Sequence, residues 1–261
     1  MLVKIPLLAF LVFGVTYPLF FWLTAKDPIK HNFHRFHLAC PVVIAGLAIV
    51  GLWLLPPSLS VPDSLKHWAV VWLACALLIT AFFWNKETVH VATITLLCLW
   101  GMKVFAAVYG HLVADNTTQI LVALLSGLVV SAIFYAMNLG HFYLNVHGLK
   151  ISHLKNATVA FGVLLLVRLV WNIGFMAFGK VLYGGQMEPV WHFMNSMDGF
   201  LLWMALFFGT LFPLAGLYFA LGTLKLKNTQ ATTGILYVLL SAVLLGDLAF
   251  KYYLLKFGIP M

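Results

Sequence analysis

A chain of 261 residues with 63% hydrophobic and only 8% charged residues is not an ordinary soluble globule, a disordered segment or a disulfide scaffold. Soluble domains carry about 45–50% apolar and about 25% charged residues. Its mean hydropathy of +1.02 places it in lipid, and its formal net charge of +8 reads as basic loops on one membrane face, with no nucleic-acid partner expected.

A bilayer core about 30 Å thick needs roughly 20 apolar residues of helix. Eight runs meet that length in chain order: Ile5–Thr24, Leu38–Leu55, His67–Trp84, Thr88–Val113, Thr118–Leu144, Ala157–Leu182, Gly199–Leu221 and Thr233–Leu255. The first is followed by Lys26-Asp27-Pro28 rather than by a small-residue cleavage site, so it reads as a retained span. Pro56-Pro57 ends the second, because proline lacks the N–H and clashes with the preceding turn. Asp115-Asn116 separates the fourth from the fifth, and Gly184-Gly185 falls in the longest loop. Pro18 and Pro213 lie within spans and predict kinks. The runs are continuous rather than alternating, which predicts helices and not a barrel. The expected architecture is an all-α integral membrane protein, a bundle of about eight transmembrane helices forming one domain over residues 1–261. It has no defensible internal repeat and no room for a separate soluble domain.

Lys26, Lys30, Arg35, Lys86, Lys150, Lys155, Lys225 and Lys227 fall on one face. Lys4, Lys66 and Lys180, with Lys256 near the end of the last span, fall on the other, with Asp63, Asp115, Glu188 and Asp198. The positive-inside rule makes the first face cytoplasmic. An even span count then puts both termini outside, and the expected location is a bacterial inner membrane. Trp22, Trp53, Trp68, Trp84 and Trp191 lie near span ends, where amphipathic rings anchor at the interface. Cys40, Cys75 and Cys98 read as small buried hydrophobes. No C-x-x-C-H or C-x-x-C motif marks a c-type haem, zinc or iron–sulfur site.

The ten histidines are placed unevenly. His31, His34, His37, His90, His141, His147 and His153 map to the basic face, and His67, His111 and His192 to the other. His31, His34 and His37 share one side of a helix by spacing, His90 opens span four, and Gly140 leaves room beside His141 for a flat ring or a close helix. Histidines near both faces suit a membrane cytochrome moving electrons across the bilayer. His37, His34, His90, His141, His111 and His67 are the candidate cofactor residues, and His37, His90, His141 and His111 the candidate haem iron ligands. Solvated surface histidines are the competing reading. The H-x-x-x-H, H-x-x-H-H and H-E-x-x-H patterns of metal enzymes are absent.

An ionisable residue inside a span is a functional hypothesis by default. Arg168 falls near the midplane of span six with Asn172 one turn later, Lys103 in the outer half of span four, and Asp247 and Lys251 four apart in span eight. Arg168, Lys103, Asp247 and Asn172 are expected to form an inward pocket suited to a quinone head group, a haem propionate or a proton path. An interhelical ion pair of Asp247 with Lys103 or Arg168 is the structural alternative, and Lys251 either pairs with Asp247 or snorkels. The leading functional expectation is a membrane subunit of a respiratory complex that binds b-type haem and/or quinone and needs partner subunits to exchange electrons. The alternatives are a proton-coupled or anion transporter, a metal-dependent enzyme on a lipid-like substrate, and a cofactor-free anchor.

Overall fold

The computed structural model describes residues 3–25, 29, 33–113, 116–146 and 149–261. His31, His147, Lys26, Lys30, Asp27-Pro28 and Asp115, named above, lie outside them. The described chain is predominantly helical, and eight of its helical segments are long and apolar enough to cross a membrane. They gather into two compact units, residues 1–120 and 121–261.

In the first unit, α1 (Lys4–Thr16) runs on as a 3-10 segment, Tyr17–Thr24. The tightening falls at Pro18, whose missing N–H removes one α-helical bond. α1 is the most buried span of this unit and packs on α2 (Phe33–Trp53) and α4 (Val91–Leu112). α3 (Asp63–Phe83) lies against α2 and α4, and begins after Pro62 with Asp63 in its first turn, where an acid complements the helix dipole. Cys98 sits in an apolar cluster with Phe21, Leu38, Phe83 and Ile94.

α5 (Thr117–Asn145) leads from the first unit into the second. α6 (Ile151–Phe178) begins six residues earlier than its apolar run, because Ser152, His153, Lys155 and Asn156 are helical although polar. Contrary to a purely helical expectation, a small antiparallel hairpin follows, β1 (Lys180–Tyr183) and β2 (Gln186–Pro189). Gly184 and Gly185 form its two-residue turn at φ 59° and 83°, backbone that glycine adopts without steric cost. The short α7 (Val190–Phe193) follows. Span seven is composite: α8 (Leu201–Leu206), a π-helical segment Phe207–Leu211, then α9 (Phe212–Lys225) with Pro213 in its first turn. α10 (Thr229–Phe257) is capped by the Asn228 side chain, which accepts from the Ala231 N–H, and ends on Gly258 at φ 67°. Beyond it Ile259 and Met261 turn back into a core shared with Phe193, Phe250 and Tyr253.

Exposed leucines, valines and phenylalanines such as Leu78, Leu96, Val170 and Phe219 give the helices apolar outer faces suited to lipid. Trp22, Trp53, Trp68, Trp84 and Trp191 are all exposed near helix ends.

Candidate functional site

The second unit carries a buried polar cluster. Arg168 lies ten residues before the end of α6, and Asp247 ten residues before the end of α10, each about 15 Å from that end. Arg168, Asp247 and Lys251 are respectively 2%, 4% and 5% exposed. Asp247 and Lys251, one turn apart on α10, form a hydrogen-bonded ion pair. Lys251 does not snorkel. Its Nζ also donates to Ser126 Oγ at 2.8 Å, and the Ser126 hydroxyl donates to Asp247 Oδ1. Arg168 Nη1 stands 4.0 Å from Asp247 Oδ1, its Nη2 donates to a main-chain oxygen of Met261, the last residue, at 3.2 Å, and its guanidinium lies 4.2 Å from the Phe250 ring centroid. Trp171, beside it on α6, donates to the Pro260 carbonyl at 2.7 Å.

Asn172 follows Arg168 on the same face of α6 and donates through Nδ2 to Thr210 Oγ1 at 3.3 Å. Thr210 belongs to the π segment, and such segments recur at functional sites. That segment touches α10: a Cβ on Gly246 would lie 2.2 Å from the Gly209 Cα. Two polar atoms of the cluster, Arg168 Nε and Asn172 Oδ1, are buried with no hydrogen-bond partner among the described residues.

Lys103, the other charge expected in this pocket, belongs to the first unit, where its side chain is exposed on α4. Ser126 and Thr210 are members that the sequence did not suggest. Ser and Thr are common in apolar spans, because they can bond to the carbonyl one turn back.

The histidines fall into separate settings. At one end of the first unit His34 and His37 are buried, 4% and 2% exposed. His37 Nδ1 and the Tyr17 hydroxyl are hydrogen bonded at 2.6 Å, and the His37 ring centroid is 3.9 Å from that of Phe33. His34 Nε2 donates to the Phe83 carbonyl at 3.0 Å, which leaves Nδ1 as its second ring nitrogen. That Nδ1 is buried without a partner among the described residues, and His34 lines a cavity of about 30 Å³. His90 at the start of α4 is exposed and bonded to Thr93 Oγ1 at 2.9 Å. At the other end His67 donates to the Asp63 carbonyl at 2.6 Å and His111 to the Ser60 carbonyl at 3.2 Å, so one short segment engages both. In the second unit exposed His141 stands 3.4 Å from the Tyr237 hydroxyl. The gap at Gly140 serves a close helix and not a flat ring: a Cβ there would meet Thr233 Oγ1 at 2.6 Å. Among the described residues no three His, Cys, Asp or Glu side chains gather to hold a metal ion.

The Tyr17–His37 pair is open to a direct test. Tyr17→Phe leaves a buried imidazole nitrogen without its hydroxyl and is expected to cost about 1–3 kcal/mol, read as a lower melting temperature of the detergent-solubilised protein. An unchanged melt would show that the bond contributes nothing net.

No protein-family model, curated protein or solved structure matches this chain.

Proposed function

We propose that the chain is a membrane subunit of an electron-transfer complex and that the Ser126–Arg168–Asp247–Lys251 cluster holds a quinone head group. One observation carries this reading: Arg168 Nε and Asn172 Oδ1 stand buried and without partners on one face of α6. Each such orphan costs about 1–3 kcal/mol, and more for a charged group, so the pair calls for a bound polar group that accepts from a guanidinium and donates to an amide oxygen. A quinol hydroxyl does both, and a quinone carbonyl does the first. The cluster also sets two cationic donors, Arg168 and Lys251, around Asp247. Cationic donors held out of water stabilise the negative charge that develops on a quinone oxygen as it is reduced.

In this reading Arg168 and Asn172 orient the head group, while Lys251 and Ser126 hold the Asp247 carboxyl in place beside it. The quinone supplies two-electron, two-proton chemistry, and other subunits deliver or accept the electrons. Haem b at the span-end histidines is the other expected cofactor, but the cavity beside His34 measures only about 30 Å³, far too small for a haem, so the proposal rests on the quinone. The basic face is proposed to be cytoplasmic, with both termini outside, in a bacterial inner membrane.

Binding of a short-tailed quinone and its quinol to the purified protein tests the proposal. Arg168→Gln is expected to weaken both by roughly 10- to 100-fold, the worth of a hydrogen bond to a charged group. Asn172→Leu is expected to weaken the quinol and leave the oxidised quinone nearly unchanged. Absence of quinone binding by the unaltered chain overturns the reading. If liposomes instead show uptake of a small anion that Arg168→Gln abolishes, the cluster serves anion transport.

A further inference from the structure

We infer that the groove between α2 and α3 seats one anionic phospholipid, with an acyl chain in the groove and the phosphate at Arg35. The groove measures about 430 Å³, within the roughly 300–1,000 Å³ of ligand sites. Its walls are mostly apolar: Ala39, Val42 and Val43 come from α2, and Leu77, Ala81 and the single hydroxyl of Thr80 from α3. The two alanines recess the facing helix surfaces, and Val43 and Leu77 are exposed at the rim. The groove therefore opens on the outer face of the pair, where lipid lies.

One end is polar and is closed by Trp84 and Asn85. There α2 starts and α3 stops, and Arg35 crosses between them. Its Nε donates to the Trp84 carbonyl at 2.7 Å, its Nη2 stands 3.5 Å from Asn85 Oδ1, and its guanidinium carbon is 5.6 Å from the Trp84 ring centroid. Those contacts fix the guanidinium at the mouth. Its Nη1 group keeps both N–H donors without a protein partner among the described residues. A planar guanidinium with donors to spare matches the paired oxygens of a phosphate. Lys86 adds a second cation, exposed and 4.8 Å from the Phe82 ring centroid. The neighbouring acid, Glu87, lines the small cavity beside His34 and not this groove.

A cationic mouth above an apolar channel complements a phosphate above an acyl chain. A zwitterionic lipid would bring a third cation to the mouth. A quinone tail offers no anion to Arg35, and a second copy of the chain would need an acid at this position.

Native mass spectrometry of the full chain, released from mixed micelles holding equal phosphatidylglycerol and phosphatidylcholine, tests the proposal. One phosphatidylglycerol is expected to stay bound in preference. Removing charge is expected to lower that preference roughly fivefold per residue, in Lys86→Gln alone and further in Arg35→Gln/Lys86→Gln. Arg35→Lys keeps the charge but not the paired donors and is expected to retain only part of it. Ala39→Phe fills the groove and releases both lipids. Lys86 is exposed, so its variant keeps the test sound if loss of Arg35 loosens the end of α3. Equal retention of the two lipids, an undiminished preference in Lys86→Gln, a neutral lipid in the same place, or a dimer that Ala39→Phe separates would each overturn the inference.

Discussion

Asp247→Ala is expected to destabilise the protein by about 3–5 kcal/mol, the penalty for removing one partner of a buried ion pair. The asymmetry within the cluster makes the test sharp. Removing Asp247 leaves Arg168 and Lys251 as two buried cations with no anion between them. Removing the other end of the pair by Lys251→Met leaves Arg168 still facing Asp247, so its cost is expected to be smaller. Thermal unfolding of both variants in the same detergent gives the comparison directly. If Lys251→Met is as damaging as Asp247→Ala, Arg168 does not hold Asp247 by itself and the electrostatic argument for a quinone oxygen fails with it.

Gly246→Ala is the second change expected to act strongly. The added methyl would lie 2.2 Å from both the Cα and the N of Gly209. The obstacle is backbone and cannot rotate aside, so α10 and the π segment must move apart. Overpacking of this kind costs typically 1–3 kcal/mol and occasionally more, and Gly246→Val should abolish accumulation of folded protein. Asp247 is the next residue, so the displacement reaches the cluster at once. Gly234→Ala on the same helix is the control: nothing lies within 4 Å of a Cβ there, and alanine should be neutral or stabilising by up to about 1 kcal/mol. A Gly246→Ala protein that melts like the Gly234→Ala control would show that the helices do not meet so closely.

The spans were legible because a bilayer demands length and apolarity together, and both are local properties of a sequence. Their ends were less so: α6 starts at Ile151, in a stretch whose polar residues look like loop. The pairing of Asp247 with Lys251 and the shared face of Arg168 and Asn172 were legible for a related reason. An interval of four fixes neighbours on a helix whatever the tertiary structure, and a charge in lipid demands a partner. Ser126 carried no such signal, since a hydroxyl in a span is cheap and its partner lies 121 residues away. Lys103 shows the converse. Depth alone suggested that it faces inward, but its side chain is exposed, and a long amphipathic stem lets such a residue lie along an outer surface. The histidines' partners at Tyr17, Phe83 and Ser60 come from other helices and from a connecting segment, so no spacing rule announces them.

The π segment has a consequence for how this protein can vary. Each residue of an α-helix advances the side chains by about 100°, and a wider turn takes up one residue more than an α-turn does. The parts of span seven before and after Phe207–Leu211 therefore keep different rotational phases, and the hydroxyl of Thr210 reaches Asn172 from the turn where the phase changes. A substitution can remove that hydroxyl but does not change the residue count that places it. Loss of a single codon in this stretch would close the turn and swing one half of the span against the other. The geometry around Asn172 is thus tied to the number of residues in the span as well as to their kinds.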